Sequence, residues 1–182
     1  MSEIFFTSDW HFCHDKPFIY ESRHFSDIES MNESIVENYN SLVSPNDTVY
    51  CLGDCMLVND AAALAYIRRL HGNIKLVLGN HDTAARIKKY SELPNIEILG
   101  YAYMLKLTKT KNAFLCHYPT ICDNGDNKVF SLHGHTHSRY CFEMVDAESD
   151  RWTLNVGIDA WNCCPVHVSQ VIDSIQKGPW AN

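Results

Sequence analysis

The chain has 182 residues, 46% of them hydrophobic, enough for one sizeable core and for a single domain over 1–182. Against 15 Lys and Arg stand 22 Asp and Glu, a formal net charge of -7, which withholds the basic field that a long phosphate backbone needs, so long nucleic acid is not an expected partner. No apolar run is long enough to span a membrane, and Met1-Ser2-Glu3 lacks the basic stretch of a signal peptide, so no membrane partner is expected and the cytoplasm is the expected location.

In chain order, residues 4–8 form a short β-prone apolar run that ends in Asp9-Trp10-His11. A carboxylate and an imidazole two residues apart face one point if the backbone is extended, because strand side chains alternate with period 2. A turn-capping Asp beside an ordinary histidine is the plainer alternative. A polar, aromatic loop follows with His14, Lys16, Arg23 and His24, in which Arg23 is either a surface arginine or a group that reaches a substrate phosphate. Ser26 and Glu29 have capping-box spacing, and Ile28, Met31, Ile35, Tyr39, Leu42 and Val43 then share one helical face. Asn46-Asp47 turns the chain into the run 48–52, which ends in Gly53-Asp54. A helix opening near Asn59 or Asp60 packs through Leu64, Ile67 and Leu70 and stops at His71-Gly72. Residues 74–78 have the length and β-branched content of a core strand and lead directly into Gly79-Asn80-His81-Asp82, a turn that offers an amide oxygen and an imidazole. With a short helix over 83–90 the order is βαβαβα, that of a layered α/β domain.

From residue 96 the texture changes to consecutive strand-like runs at 96–99, 101–108 and 113–116, followed by His117-Tyr118-Pro119. The run 129–132 leads into His133-Gly134-His135-Thr136-His137. Runs at 140–145 and 152–156 read as a hairpin over a polar turn at 146–151, and a short helix over 168–175 closes the pattern. The 8 cysteines show no C-x-x-C pair and no zinc-finger spacing; in a reducing compartment they are free and mostly buried, although Cys13, Cys55 and Cys116 lie beside candidate ligands.

Collected in order, the strand ends present Asp9 and His11, Asp54, Asn80 and His81, His117, and His135 and His137. In an α/β sheet, groups at successive strand ends converge beyond the carboxyl edge. Each has a plain structural reading by itself, but five recurrences in one small domain favour a shared metal site. Imidazole with carboxylate suits Mn, Fe, Zn, Ni or Co better than Mg or Ca. The donors are too many for one ordinary ion and sufficient for two ions that share a carboxylate.

The series Asp9-x-His11, Gly53-Asp54, Gly79-Asn80-His81-Asp82, His117 and Gly134-His135-x-His137 resembles the motif set of the calcineurin-like metallophosphoesterase superfamily. His11-Phe12-x-His14 and the stretch from Asn155 to Asn162 with Pro165 are similar to its small single-domain bacterial and phage members, which commonly carry Gly where this chain has Cys13. The resemblance implies an α/β fold of two mixed β-sheets packed as a sandwich and flanked by helices, with two metal ions at one edge. It implies a first ion on Asp9, His11, Asp54 and His137 and a second on Asp54, Asn80, His117 and His135. It further implies a shared hydroxide as nucleophile, His81 as the acid, and Asp82 orienting His81. The expected substrate is a small phosphomonoester or phosphodiester, a nucleotide or cyclic diester among them, with Asn80, Arg23 and His14 as candidate substrate contacts. A scaffold that keeps the fold for protein binding, and a nuclease, are the alternatives; the complete ligand set and the acidic charge balance respectively disfavour them.

Overall fold

The computed structural model describes residues 2–122, 129–146 and 151–178. Its first sheet has the order β10-β1-β2-β3-β4. Strands β1 (Ile4–Thr7), β2 (Thr48–Cys51), β3 (Asn73–Val77) and β4 (Ile96–Gly100) run parallel, and β10 (Val166–His167) pairs antiparallel with β1. The second sheet has the order β5-β6-β7-β9-β8, built from β5 (Ala102–Lys106), β6 (Asn112–Cys116), β7 (Val129–His133), β8 (Phe142–Asp146) and β9 (Arg151–Asn155), with parallel pairing at β6–β7 and β7–β9. Both sheets are therefore mixed, as the resemblance implies.

The apolar runs of the first sheet are continuous because both of its faces are covered. Phe5, Val49, Cys51, Ile74 and Leu76 enter one core together with Met31, Ile35 and Tyr39 of α2 (Ile28–Leu42), Leu64 and Ile67 of α3 (Asp60–Ile67), and Tyr90 of α4 (Ala84–Tyr90). Their alternating neighbours Phe6, Tyr50, Leu52 and Val77 enter a second core with Ala113, Leu115, Leu132 and Leu154 of the other sheet. Val171 of α5 (Val168–Lys177) is buried in this second core. Two further short elements are α1 (Pro17–Tyr20) and a 3₁₀ turn at Ile158–Trp161.

Two local expectations change. Asp27, not Ser26, caps α2: its carboxylate accepts from Ser30 N at 2.7 Å, a charged acceptor at the positive helix end, while Ser26 Oγ donates to that same carboxylate. Leu42 leaves the apolar face for solvent, and the extended Val43 turns inward in its place. The strand-like run at 96–99 forms β4 and completes the first sheet, and β10 is a strand too short for a periodicity to announce. The hairpin of β8 and β9 forms, although residues 147–150 of its expected turn lie outside the described residues.

Candidate metal centre

Beyond their strands, the segments that leave β1 and β2 stay paired. Asp9 N donates to Gly53 O at 3.0 Å, His11 N to Asp54 O at 3.1 Å and Phe12 N to Cys55 O at 3.1 Å. The backbone here is not the extended one that the spacing of Asp9 and His11 suggests. Asp9, His11 and Asp54 have φ of 60°, 50° and 55°, and His135 and His137 have 71° and 51°. A non-glycine residue in this region costs on the order of 1–3 kcal/mol and persists only where its surroundings over-determine it, which the paired loops do. Five of the candidate ligands converge because the chain kinks at each one, not because side chains alternate. Two glycines let backbone pass close to the carboxylates: a Cβ on Gly79 would stand 2.2 Å from Asp54 Oδ1, and one on Gly134 would stand 2.3 Å from Asp9 Oδ2.

Each carboxylate commits one oxygen to the backbone and turns the other into the site. Asp9 Oδ2 accepts from His135 N and Asp54 Oδ1 from His81 N, both at 2.9 Å. Asp9 Oδ1 then faces His11 Nε2 at 3.8 Å and His137 Nε2 at 4.0 Å. Asp54 Oδ2 faces His117 Nε2 at 3.4 Å, His11 Nε2 at 3.7 Å and His81 Nε2 at 3.9 Å. His117 Nε2 and His135 Nδ1 each lie 2.9 Å from Asn80 Oδ1. Asp9, His11 and His137 thus gather on one side and Asn80, His117 and His135 on the other, with Asp54 Oδ2 between them. Among the described residues, Asp9–His11–His137 and Asp9–Asp54–His117 bring their ligand atoms within 4.8 Å of one another.

These donors fit cations. Asp9 Oδ1 and both ring nitrogens of His11 are buried without a hydrogen-bond partner, a state that costs about 1–3 kcal/mol per group unless something charged or polar meets them. His117 makes the point again. Its Nδ1 donates to Leu52 O at 2.7 Å, so Nε2 directs its lone pair at two acceptor oxygens and needs either a second proton or a metal there. Burial alone would lower the pKa of His117, but its hydrogen bond to Asp54 and the charges of Asp9 and Asp54 raise it. Burial likewise opposes the ionised form of Asp54, yet His117 and the His81 N–H hold its carboxyl below the ordinary range. At Asp9 burial wins and pushes the carboxyl up; at His11 burial pushes the imidazole well down. A cation relieves all of this together, since it favours ionised carboxylates and neutral imidazoles.

The remaining candidates fall in unexpected places. Arg23 is neither a surface residue nor open to a substrate phosphate: its Nη2 donates to Asp9 O and Asp159 Oδ2, its Nε to Asp159 Oδ1 and its Nη1 to Trp10 O, and its side chain is buried. Asp82 does not meet the His81 ring; its Oδ2 accepts from Asp54 N and Gly79 N and its Oδ1 from Tyr90 OH, so it braces the backbone that carries Asp54. His14 stands at the mouth with its ring centroid 5.4 Å from that of His11, its Nδ1 buried and unpartnered. Burial, then the neighbouring His81, lowers its pKa. Cys13 takes φ 62° where a glycine would be unstrained, its N–H bonded to Asn32 Oδ1 at 3.2 Å. All eight cysteines are free thiols.

Asp159 is the functional residue that sequence reasoning passed over. Its Oδ2 accepts from His137 Nδ1 at 3.0 Å, which fixes that imidazole's tautomer and turns Nε2 toward Asp9, while the same carboxylate neutralises Arg23. Burial opposes its charge, but His137 and Arg23 hold its carboxyl far below the ordinary range. The only sequence signal was its place within the stretch from Asn155 to Asn162.

A family model for calcineurin-like phosphoesterases matches residues 2–171. The chain belongs to that family. It is accordingly a metal-dependent phosphoester hydrolase, and its structure holds candidate metal-ligand groups. This phosphoesterase is 32% identical to the uncharacterized protein MJ1445 of Methanocaldococcus jannaschii over 181 residues, which cover 98% of this chain and 94% of the relative. It is 27% identical to the Gene 66 protein of Mycobacterium phage D29, covering 98% of this chain and 100% of the phage protein. The crystal structure of AQ665 from Aquifex aeolicus, a protein of unknown function, matches the fold with a TM-score of 0.71 at 24% identity, over 96% of this chain and 100% of that one.

Proposed function

We propose that this phosphoesterase hydrolyses small phosphomonoesters or phosphodiesters at a site for two divalent ions, drawn from Mn, Fe, Zn, Ni or Co. The observation that carries the reading is Asp54 Oδ2, a single carboxylate oxygen faced by imidazoles of both ligand groups, His11 at 3.7 Å and His117 at 3.4 Å. Asp9, His11, Asp54 and His137 would hold one ion, and Asp54, Asn80, His117 and His135 the other. When bound, the ions supply Lewis acidity toward phosphoryl oxygen and a lowered pKa for water.

The chain's own groups do the rest. Asp159 and the Leu52 carbonyl keep His137 and His117 in the tautomer whose Nε2 points inward. Asp82 and the glycines at 79 and 134 hold both carboxylates in place. His81 belongs to neither ligand group and its side chain is 42% exposed, so it is free to give a proton to the departing alkoxide. His14, beside it at the mouth, is a candidate contact for the substrate. Arg23 is withdrawn from that role and serves as a buried tie. Ligands come from the ends of both sheets, which supports reading the chain as one catalytic domain. Among the described residues no helix is long and apolar enough to cross a membrane, and eight free thiols accord with a reducing, cytoplasmic setting.

Elemental analysis tests the assignment. Asp54→Asn should weaken both ions together and abolish turnover, whereas His11→Ala should spare the second ion. Loss of one ion alone from the Asp54 variant would overturn the bridging role.

A further inference from the structure

Among the described residues ten large hydrophobic side chains are exposed, and two of them, Phe18 and Tyr118, touch imidazoles of the site. Phe18 is 67% exposed, yet its ring lies edge-on to His14 with centroids 5.6 Å apart. Tyr118 is 45% exposed and lies 4.7 Å from the His135 ring and 5.3 Å from the His117 ring. His14 borders the His11 group and His135 the Asn80 group, so the two aromatic rings stand on opposite flanks of the shared Asp54.

Neither ring is loosely hung. Phe18 sits on the one-turn α1, opened by Pro17 and anchored by the buried Ile19, which turns its neighbour outward. Tyr118 precedes Pro119, which restricts its backbone to extended conformations. A fixed, exposed aromatic forgoes the transfer energy of burial, and a flat ring laid against it recovers that energy. Arg23, three residues past α1, is fully engaged by Asp159 and two carbonyls, so it does not claim a second phosphate.

We infer that the substrate is a phosphoester of a nucleoside or similar heteroaromatic alcohol, whose phosphate lies at the metal ligands while its flat ring packs on Phe18, with Tyr118 flanking the other phosphate substituent. His81 and His14 both adjoin the His11 ring, which puts the leaving group on the Phe18 side. The inference rests on the phosphoesterase reading above and adds the part of the substrate that the metals do not see.

The test compares adenosine 5′-phosphate with ribose 5-phosphate, and the 5′-methyl diesters of both, on metal-loaded enzyme; each pair has the same ester bond and differs only in the base. We expect kcat/KM for the adenosine compound to exceed that for the ribose compound by roughly five- to a hundredfold, the range that aromatic stacking confers per base. Phe18→Leu should bring that ratio toward one with metal content intact, whereas Tyr118→Leu, whose ring meets the other substituent, should leave the ratio standing. Tyr101→Leu, an exposed aromatic that touches no site histidine, should leave it as in the wild type. Turnover with a ratio near one in the wild type, or a ratio unchanged in Phe18→Leu, overturns the inference and leaves the phosphoesterase reading standing. No turnover of any of the four compounds or of nitrophenyl phosphoesters overturns both.

Discussion

His81 and Asp54 meet twice, once through the His81 N–H on Asp54 Oδ1 and once by the approach of Nε2 to Oδ2, and this holds the proposed proton donor beside that carboxylate. Because the first contact is backbone, it survives replacement of the ring. We therefore expect His81→Ala to keep its full metal complement and to lose roughly 10²–10⁴ in kcat on esters of poor leaving groups, the usual reach of a positioned acid. Nitrophenyl esters, whose leaving group needs no proton, should suffer far less. Equal losses on both substrate types, measured beside metal content, would remove the acid role. The same residue scale shows what sequence can and cannot deliver. The ligand types at Asp9, His11, Asp54, Asn80, His117, His135 and His137 were legible because each stands at the end of an apolar run. The kinks that aim them were not, because a φ of 50° at His11 is imposed by pairing with a segment more than forty residues away.

At the scale of elements, the caps and ties decide what holds. Asp47 joins three of them: its Oδ1 accepts from Glu3 N ahead of β1 and its Oδ2 from Ser44 N just past α2, both at 2.8 Å, in the turn that opens β2. These hydrogen bonds, Glu3 first and Ser44 second, lower its pKa from the ordinary 3.8. A depressed folded pKa means that the stabilisation is complete above that ordinary value and is lost as pH falls through the lower folded one. Asp47→Ala should thus lower Tm at neutral pH by roughly 2–4 °C for each kcal/mol removed, with the gap to the wild type closing below about pH 4. A gap independent of pH would show that the charge is not what matters. Helices α2 and α3 followed from helical periodicity and strands β1 to β3 from short apolar runs, whereas the one-turn α1 stands where the sequence reads only as a loop. The run at 96–99 was legible as a strand but its sheet was not, and β10 was not legible at all, since which sheet receives a short apolar run depends on edges that only the assembled fold offers. Likewise Asp27 displaced Ser26 as cap because a carboxylate one residue later accepts more strongly, a competition that motif spacing does not weigh.

For the whole molecule, acidic charge and local cations pull in opposite directions. A formal charge of -7 repels the flanking phosphates of a polymer, while a single phosphate needs only the metal ligands' ions and the mouth of the site. Specific activity on a mononucleotide should exceed that on a single-stranded oligonucleotide at every ionic strength. Fast oligonucleotide cleavage that declines steeply with added salt would reveal a basic track that the summed charge conceals.

The division of the ligands between the two sheets has a thermodynamic corollary. Asp9, His11, Asp54 and Asn80 follow strands of one sheet and His117, His135 and His137 strands of the other, so a cation held as proposed would be a staple across the open edge of the sandwich, bound only when both sheets are in place. By linkage, such a ligand stabilises the folded chain by RT ln(1 + [L]/Kd), about 2.7 kcal/mol at a hundred times Kd. Melting temperature should climb with the logarithm of free Mn²⁺ or Zn²⁺ and fall on chelation. His135→Ala, which removes a second-sheet ligand, should flatten that climb. On that reading, part of the stability of the fold would rest on the supply of metal.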